Sequence, residues 1–107
     1  MLEARLKREL RGEVHFDVFT RGRYSTDASI YQIEPLGVVV PRDREDALRA
    51  VEIAADSGVP ILPRGAGSSQ CGQAVGAALI VDGTKHLRTV TDLDVDAATV
   101  RVEPGVV

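Results

Sequence analysis

The residues best suited to chemistry lie in one glycine-rich segment, residues 63–74, which reads PRGAGSSQCGQA. Glycine lets successive backbone N–H groups converge without a Cβ in the way, and such a concave nest binds phosphate or pyrophosphate. Ser68 and Ser69 add hydroxyl donors, and Arg64 adds a positive charge. The segment therefore predicts a loop that grips a phosphorylated ligand.

Two well-known phosphate loops do not fit this segment. The dinucleotide pattern G-x-G-x-x-G matches Gly65 and Gly67 but meets Gln70 at its third glycine. The Walker pattern matches Gly67 and Gly72 but then lacks its lysine and hydroxyl residue. An apolar, strand-like run follows the segment, so we expect the amides of the loop, rather than a helix dipole, to bind the anion. A flexible glycine-rich connection is the alternative that composition leaves open.

Other reactive side chains carry weaker signals. Cys71 is the only cysteine, which excludes an internal disulfide and a four-thiolate metal site. No spacing supports pairing of Cys71 with His15 or His86, so we expect a buried thiol and no metal at the histidines. Asp27 lies among hydroxyl residues, where it either holds a turn or contacts a ligand.

Composition limits the classes of function. The chain has 107 residues, 44% hydrophobic and 27% charged, as expected for one globular domain, in which a nucleotide-sized ligand would have to lie at an edge or against a partner. The net charge of −3, with both signs interleaved, argues against nucleic acid as a partner. Without a signal-peptide pattern or an apolar run of membrane length, we expect a cytoplasmic protein with no membrane span.

The first half of the chain predicts two helices around one strand. Leucines at every fourth position from Leu2 indicate a helix that ends near Gly12, and Glu13–Pro35 is expected to be an ordered loop. The β-branched run 37–41 predicts a strand buried on both faces. A second helix follows, capped by Asp43 and stopped by Gly58. Its expected apolar face consists of Ala47, Leu48, Val51, Ala54 and Ala55.

The second half predicts strands. Residues 61–62 and 78–81 flank the glycine-rich segment as two short strands, and alternation over 90–102 indicates a hairpin with one solvated face. The chain stops at two valines without a polar tail, which we interpret as a strand cut from its continuation. The expected fold class is α+β (mixed α/β), with a small sheet flanked by helices.

Several motifs, in this order, resemble the flavin-binding domain of the FAD-linked oxidase family, the group related to vanillyl-alcohol oxidase and para-cresol methylhydroxylase. The resemblance covers roughly Tyr24 to Val107 and is strongest to the D-lactate and glycolate dehydrogenase branch. The motifs are Tyr24–Ser29 with Pro35, the strand to Pro41, the helix to Gly58, the loop Pro63–Ala74, Val81–Asp82, and Val102–Gly105.

The resemblance implies a set of FAD contacts. The residues implied to wrap the pyrophosphate are Arg64, Gly65, Ala66, Gly67, Ser68 and Ser69, with Gly72 and Gln73 close by. Pro104 and Gly105 are implied to approach the flavin. Family members that attach FAD covalently through this loop carry a histidine where this chain has Ser68, so a non-covalent flavin is implied.

The resemblance also divides the chain. Residues 1–36 form an N-terminal helix and ordered loop, and residues 37–107 form the first half of the FAD-binding domain. The other half and the substrate domain lie outside this sequence, so we expect the fragment to be inert alone, whereas the whole enzyme oxidises a 2-hydroxy acid such as D-lactate or glycolate. The alternative is a non-catalytic α/β interaction module with a glycine-rich turn, and a homo-oligomer is a further hypothesis.

Overall fold

A four-stranded sheet forms the centre of the protein in the computed structural model, which describes residues 1–107. The elements, in chain order, are α1 (Leu2–Glu9), β1 (Glu13–His15), α2 (Val18–Arg23), β2 (Gly37–Val40), α3 (Arg44–Asp56), β3 (Ile61–Arg64), β4 (Leu79–Asp82), β5 (Val90–Asp94) and β6 (Thr99–Val102). The strand order in the sheet is β1-β2-β4-β3, and only β1 runs antiparallel to its neighbour. The predicted α+β fold class is confirmed.

The sheet separates two apolar layers. On one face, α1 and α3 pack against β2 and β4 around Leu6, Ile53 and Leu79. On the other face, Val38 and Ile80 lie beneath the partly buried Tyr24 and Leu62. Every residue of β2 is buried, as predicted for a β-branched run covered on both sides.

The segment predicted as a loop, residues 13–35, contains two regular elements, so that prediction is wrong in part. Strand β1 pairs with β2 through Glu13 and Val40. Helix α2 begins after Asp17, whose carboxylate accepts the backbone N–H of Thr20 at 2.8 Å. That bond to Thr20 lowers the pKa of Asp17. Elements of three and six residues are too short to give a clear hydrophobic period.

Helix α3 lies where it was predicted, but it buries a different face. Asp43 caps it by accepting the N–H of Asp46 at 2.9 Å, and Gly58 follows it with a φ of +65°. The buried apolar residues are Ala50, Ile53 and Ala54. The remaining residues of the predicted face are exposed or half-buried: Ala47, Leu48, Val51 and Ala55.

A buried carboxylate accounts for this rotation of α3. Asp46 is 3% exposed and accepts three backbone N–H groups, from Arg11 at 2.9 Å, Gly12 at 2.8 Å and Arg42 at 3.0 Å. Burial alone would raise its pKa, but these donors outweigh burial and the pKa is lowered. A Cβ on Gly12 would lie 2.8 Å from Asp46 Oδ2. Asp46 thus joins the turn after α1 to the start of α3.

The hairpin β5–β6 forms as predicted, but both of its faces are exposed. Val90 pairs with Val102, and the register shifts between Thr91 and Asp94. All nine residues of the two strands are exposed, with Leu93 at 73%, so the expectation of a single solvated face is wrong for this chain. None of the helices combines the length and apolar character needed to cross a bilayer.

We predict that Asp46→Asn lowers the free energy of unfolding by about 2 kcal/mol at neutral pH, since it weakens charged hydrogen bonds to buried donors. A pKa lowered by folding stabilises the protein above the unfolded value of about 3.9 and stops doing so as the pH falls through the folded value. The difference between wild type and variant, measured by urea unfolding, therefore shrinks as the pH falls below the unfolded value. Asp96→Asn, at an exposed position in the β5–β6 turn, is the control. An equal loss in both variants would contradict the role of Asp46.

Candidate functional site

The glycine-rich segment connects two neighbouring parallel strands. Residues 65–78 leave the carboxyl end of β3, contain no helix or strand, and return to the start of β4. We call residues 65–74 the glycine loop. It begins at the carboxyl end of a parallel strand, where ligands of open α/β sheets commonly bind.

Two of the three glycines in this loop have a steric reason to be glycine. Gly67 has a φ of +70° and Gly72 a φ of +83°, a region that side chains disfavour. A Cβ on Gly67 would lie 2.8 Å from Arg64 Cζ, and one on Gly72 would lie 2.8 Å from Tyr31 Cδ2. Gly65 has open space around it and an ordinary φ.

Arg64 closes the loop on itself. Its Nη1 donates to the carbonyl of Ala74 at 2.9 Å and, more weakly, to the carbonyl of Tyr24 at 3.5 Å. The guanidinium carbon also lies 5.2 Å from the centre of the Tyr24 ring, a cation–π distance. Nη2 lies beside Gly67, and neither Nη2 nor Nε donates to a protein acceptor. Arg64 therefore stabilises the loop through Nη1 and also leaves donors beside Gly67 that have no protein acceptor.

Asp82, at the carboxyl end of β4, lies opposite Arg64 in the parallel pairing. Its Oδ2 accepts the hydroxyl of Tyr24, and its Oδ1 accepts the N–H of Thr84 at 2.8 Å and the Thr84 hydroxyl at 2.7 Å. Burial, followed by the bond to Asp82, raises the pKa of Tyr24 to about 12. The phenol thus stays protonated and donates to Asp82 at neutral pH.

Asp27 holds a turn and also contacts the loop. Its Oδ1 accepts the N–H of Ser29 at 2.8 Å, and its Oδ2 accepts the N–H of Ala74 at 3.3 Å. The bond to Ser29, with smaller contributions that include Ala74 and Arg64, lowers the pKa of Asp27. The turn-holding alternative is therefore confirmed.

An open cleft of about 470 Å³ brings the start of the loop to the chain's last residues. Of the predicted FAD contacts, Arg64, Gly65, Ala66, Pro104 and Gly105 line it. The others lie further along the loop, away from the cleft lining: Gly67, Ser68, Ser69, Gly72 and Gln73. The Ser69 hydroxyl donates to the Gln73 side chain, so these two polar groups satisfy each other.

Sequence reasoning missed part of the cleft. Arg23 and Arg88 line it beside Arg64, and the one carboxylate in the lining, Asp82, is already hydrogen-bonded. The excess of positive charge suits an anionic ligand. Asp82 is part of the Val81–Asp82 motif of the family resemblance. No local pattern signals that Arg23 and Arg88 converge, because they lie far apart in sequence.

The remaining reactive side chains are placed elsewhere. Cys71, in the glycine loop, is exposed, so the expectation of a buried thiol is wrong. His15 lies 3.0 Å from Glu13 at the opposite edge of the sheet. No three potential metal ligands come together in the structure.

A family model described as an FAD binding domain matches residues 35–107. The chain belongs to this FAD-binding family. The predicted resemblance to the FAD-linked oxidases is thereby confirmed, and so is FAD as the cofactor. No comparison tests the individual contact residues, which stay predictions.

Curated relatives of this FAD-binding domain are dehydrogenases and an oxidase subunit. D-2-hydroxyglutarate dehydrogenase of Pseudomonas putida is 33% identical over 109 residues, which cover 99% of this chain and 11% of the relative. The Escherichia coli enzyme of that name is 38% identical over 86 residues, covering 78% and 8%. Glycolate oxidase subunit GlcD of Bacillus subtilis is 34% identical over 106 residues, covering 92% and 22%. The chain therefore spans between 8% and 22% of these relatives.

Solved structures share the fold. Alkyldihydroxyacetonephosphate synthase matches 98% of this chain and 24% of its own, with a TM-score of 0.83 and 20% identity. Xylooligosaccharide oxidase from Myceliophthora thermophila, in complex with xylobiose, matches 98% and 23%, with a TM-score of 0.72 and 22% identity. At these identities the likeness shows the fold alone, which agrees with the predicted small sheet flanked by helices.

We predict that Gly105→Ala destabilises the FAD-binding domain by about 1–3 kcal/mol, the usual cost of forcing atoms into a packed site. Gly105 donates its N–H to Leu87 O at 2.8 Å, and an added Cβ would lie 2.6 Å from that oxygen and overlap Gly83 O. Gly22→Ala is the matched control, because nothing lies within 4 Å of its Cβ and α2 favours alanine. Chemical unfolding compares the two. Equal stability of both variants would show that the 104–107 segment relaxes freely.

A second prediction concerns Tyr24. Phenolate absorbance of the folded protein, with folding followed by circular dichroism, should show a tyrosine that ionises near pH 12 and is absent in Tyr24→Phe. Because folding raises this pKa, the phenol stabilises the fold below about pH 10 and ceases to do so as the pH rises through the folded value. Loss of a transition near pH 10 in Tyr24→Phe would contradict burial of the hydroxyl.

Proposed function

We propose that this chain is the pyrophosphate-binding portion of a flavin-dependent enzyme that oxidises a 2-hydroxy acid. The observation that carries the proposal is the Arg64 guanidinium, which lines the cleft, closes the glycine loop through Nη1 and leaves Nε and Nη2 without a protein acceptor beside Gly67. A pyrophosphate offers the acceptors that such a fork and the surrounding amides can use. Membership of the FAD-binding family supports this ligand.

Each part of the glycine loop has a proposed role in binding. Arg64 contributes charge-assisted hydrogen bonds, and Gly65 to Gly67 contribute backbone N–H groups. The Ser68 hydroxyl extends the donor set, and the Ser69 hydroxyl joins it by exchanging its bond to Gln73 for one to the ligand, with Gly72 and Gln73 shaping the far side. Pro104 and Gly105 form the opposite wall of the cleft, towards the flavin ring. When bound, FAD supplies the redox chemistry, and the chain holds and orients it.

We infer that FAD is bound without a covalent bond to this loop. Ser68 is an exposed hydroxyl residue at the position where the resemblance implies a histidine in covalently flavinylated members. A serine offers no imidazole nitrogen for such attachment. Acid precipitation of the loaded protein is therefore expected to leave all flavin in solution.

The substrate class is proposed from the relatives' names. D-2-Hydroxyglutarate and glycolate, named in those relatives, share a hydroxyl on the carbon next to a carboxylate. No residue of this chain is proposed to act on that carbon, and the chain alone is expected to be inert. We propose that the rest of the flavin domain and a substrate domain complete a cytoplasmic enzyme.

The interaction-module alternative has less support from the edges of the four-stranded sheet. β3 is one edge of the sheet, and Pro63 within it has no N–H to offer a partner strand. β1, at the other edge, has only three residues. Short or proline-containing edges are typical of sheets that avoid strand addition.

Calorimetric titration with FAD tests the proposal. Three forms of the protein are compared: the 107-residue chain, a longer chain that includes the remaining flavin domain, and Gly67→Val in the longer chain. We expect a micromolar or lower Kd for the longer chain, weaker binding by the short one, and at least a tenfold loss in Gly67→Val, about 1.4 kcal/mol or more. Valine at a φ of +70° is strained, and its side chain would meet the Arg64 guanidinium.

Gly22→Ala, on the exposed side of α2, serves as the control and should bind like wild type. If the longer chain ignores FAD, the proposed function is wrong. If Gly67→Val binds as tightly as wild type, the cofactor is held elsewhere.

A further inference from the structure

A segment before the matched family region contacts the glycine loop at both of its ends. The family match begins at residue 35, whereas residues 24–31, which we call the brace, lie before it. The brace is held by the Ser29 N–H bond to Asp27 and by an isolated bridge from Thr26 to Gln32, the residue just after it. It is therefore a structured turn, and its side chains have defined positions from which to hold the loop.

The brace fixes the peptide at which the loop ends. Ala74 is 8% exposed, and both of its backbone polar groups are held by side chains that come from different directions. Asp27 Oδ2 accepts its N–H at 3.3 Å, and Arg64 Nη1 donates to its carbonyl at 2.9 Å. Because Arg64 also ends β3, its bond ties the last residue of the loop to the residue just before its first, and the bond to Asp27 ties that last residue to the brace.

The brace also fixes the guanidinium itself. Tyr24 contacts Arg64 through its ring, at 5.2 Å, and through its carbonyl, at 3.5 Å from Nη1. The Tyr24 hydroxyl, in turn, donates to Asp82 at the end of β4. The flexible arginine side chain is thus held between an aromatic ring and the loop, with Nη2 beside Gly67.

We propose that the brace is a working part of the FAD site, with Tyr24 and Asp27 as positioning residues that preshape the glycine loop for the pyrophosphate. This inference rests on the proposed function. Preorganisation raises affinity because less conformational freedom is lost when the ligand binds. The brace residues act through Arg64 and Ala74 and need not touch the cofactor.

Two variants test the brace, each with a control. Tyr24→Phe removes only the hydroxyl that anchors the ring, and Gly22→Ala, whose added Cβ would have nothing within 4 Å, is its control. Asp27→Asn removes the charge that accepts the two N–H groups, and Asp96→Asn makes that change at an exposed carboxylate. All are made in the longer chain and titrated with FAD well below the melting temperature.

We expect Tyr24→Phe and Asp27→Asn each to weaken FAD binding by about tenfold, whereas the controls stay within about twofold of wild type. Hydrogen–deuterium exchange without FAD supplies a second readout. Amides of residues 65–74 should exchange faster in the two brace variants, while those of β2 keep wild-type protection. A purely structural role would speed exchange in β2 as well.

Unchanged FAD affinity in both brace variants would overturn the inference, even if exchange in the loop were faster. Faster exchange in β2 to the same degree as in the loop would also overturn it, because the affinity loss would then follow general destabilisation. If the longer chain with the wild-type sequence does not bind FAD, the proposed function is wrong, and the inference that the brace preshapes an FAD site is wrong with it.

Discussion

Two parallel strands that are neighbours in a sheet cannot be joined by a tight turn, and much of this structure depends on that constraint. The chain must cross from the end of β3 to the start of β4, a connection that usually contains a helix. Here it contains the glycine loop instead. One face of the sheet is covered by α1 and α3, and the partly buried Tyr24 packs against the other. The same constraint that shapes the sheet creates the candidate site.

A crossover without a helix has no repeating hydrogen bonds of its own, so its backbone groups must find partners elsewhere. Arg64 and Asp27 meet this need at Ala74, and Asp46 does the equivalent for the turn between α1 and β1. In both places a charged side chain satisfies backbone groups that no ladder reaches. These charged side chains order irregular backbone, and only their atoms without a protein partner, such as Nε and Nη2 of Arg64, are available to a ligand.

Sequence reasoning succeeded where the determining signal is local. The β-branched run of β2, the Asp43 cap of α3 and the glycines of the loop all act through their immediate neighbours. It failed where a distant contact decides, as on α3, where burial of Asp46 turns Leu48 towards solvent. The closure of the loop by Arg64 belongs to the same class, because its partners lie ten and forty residues away. A hydrophobic period carries no information about such contacts.

The exposed Cys71 has a practical consequence. It is the chain's only thiol and lies in the glycine loop, so a maleimide dye or spin label would attach at one known position. The core contains no competing cysteine, so no residue would have to be mutated before labelling. The molecule thus offers a ready-made attachment point for a reporter in the segment that carries the candidate site, and the label's fluorescence or electron paramagnetic resonance spectrum would report on the surroundings of that segment.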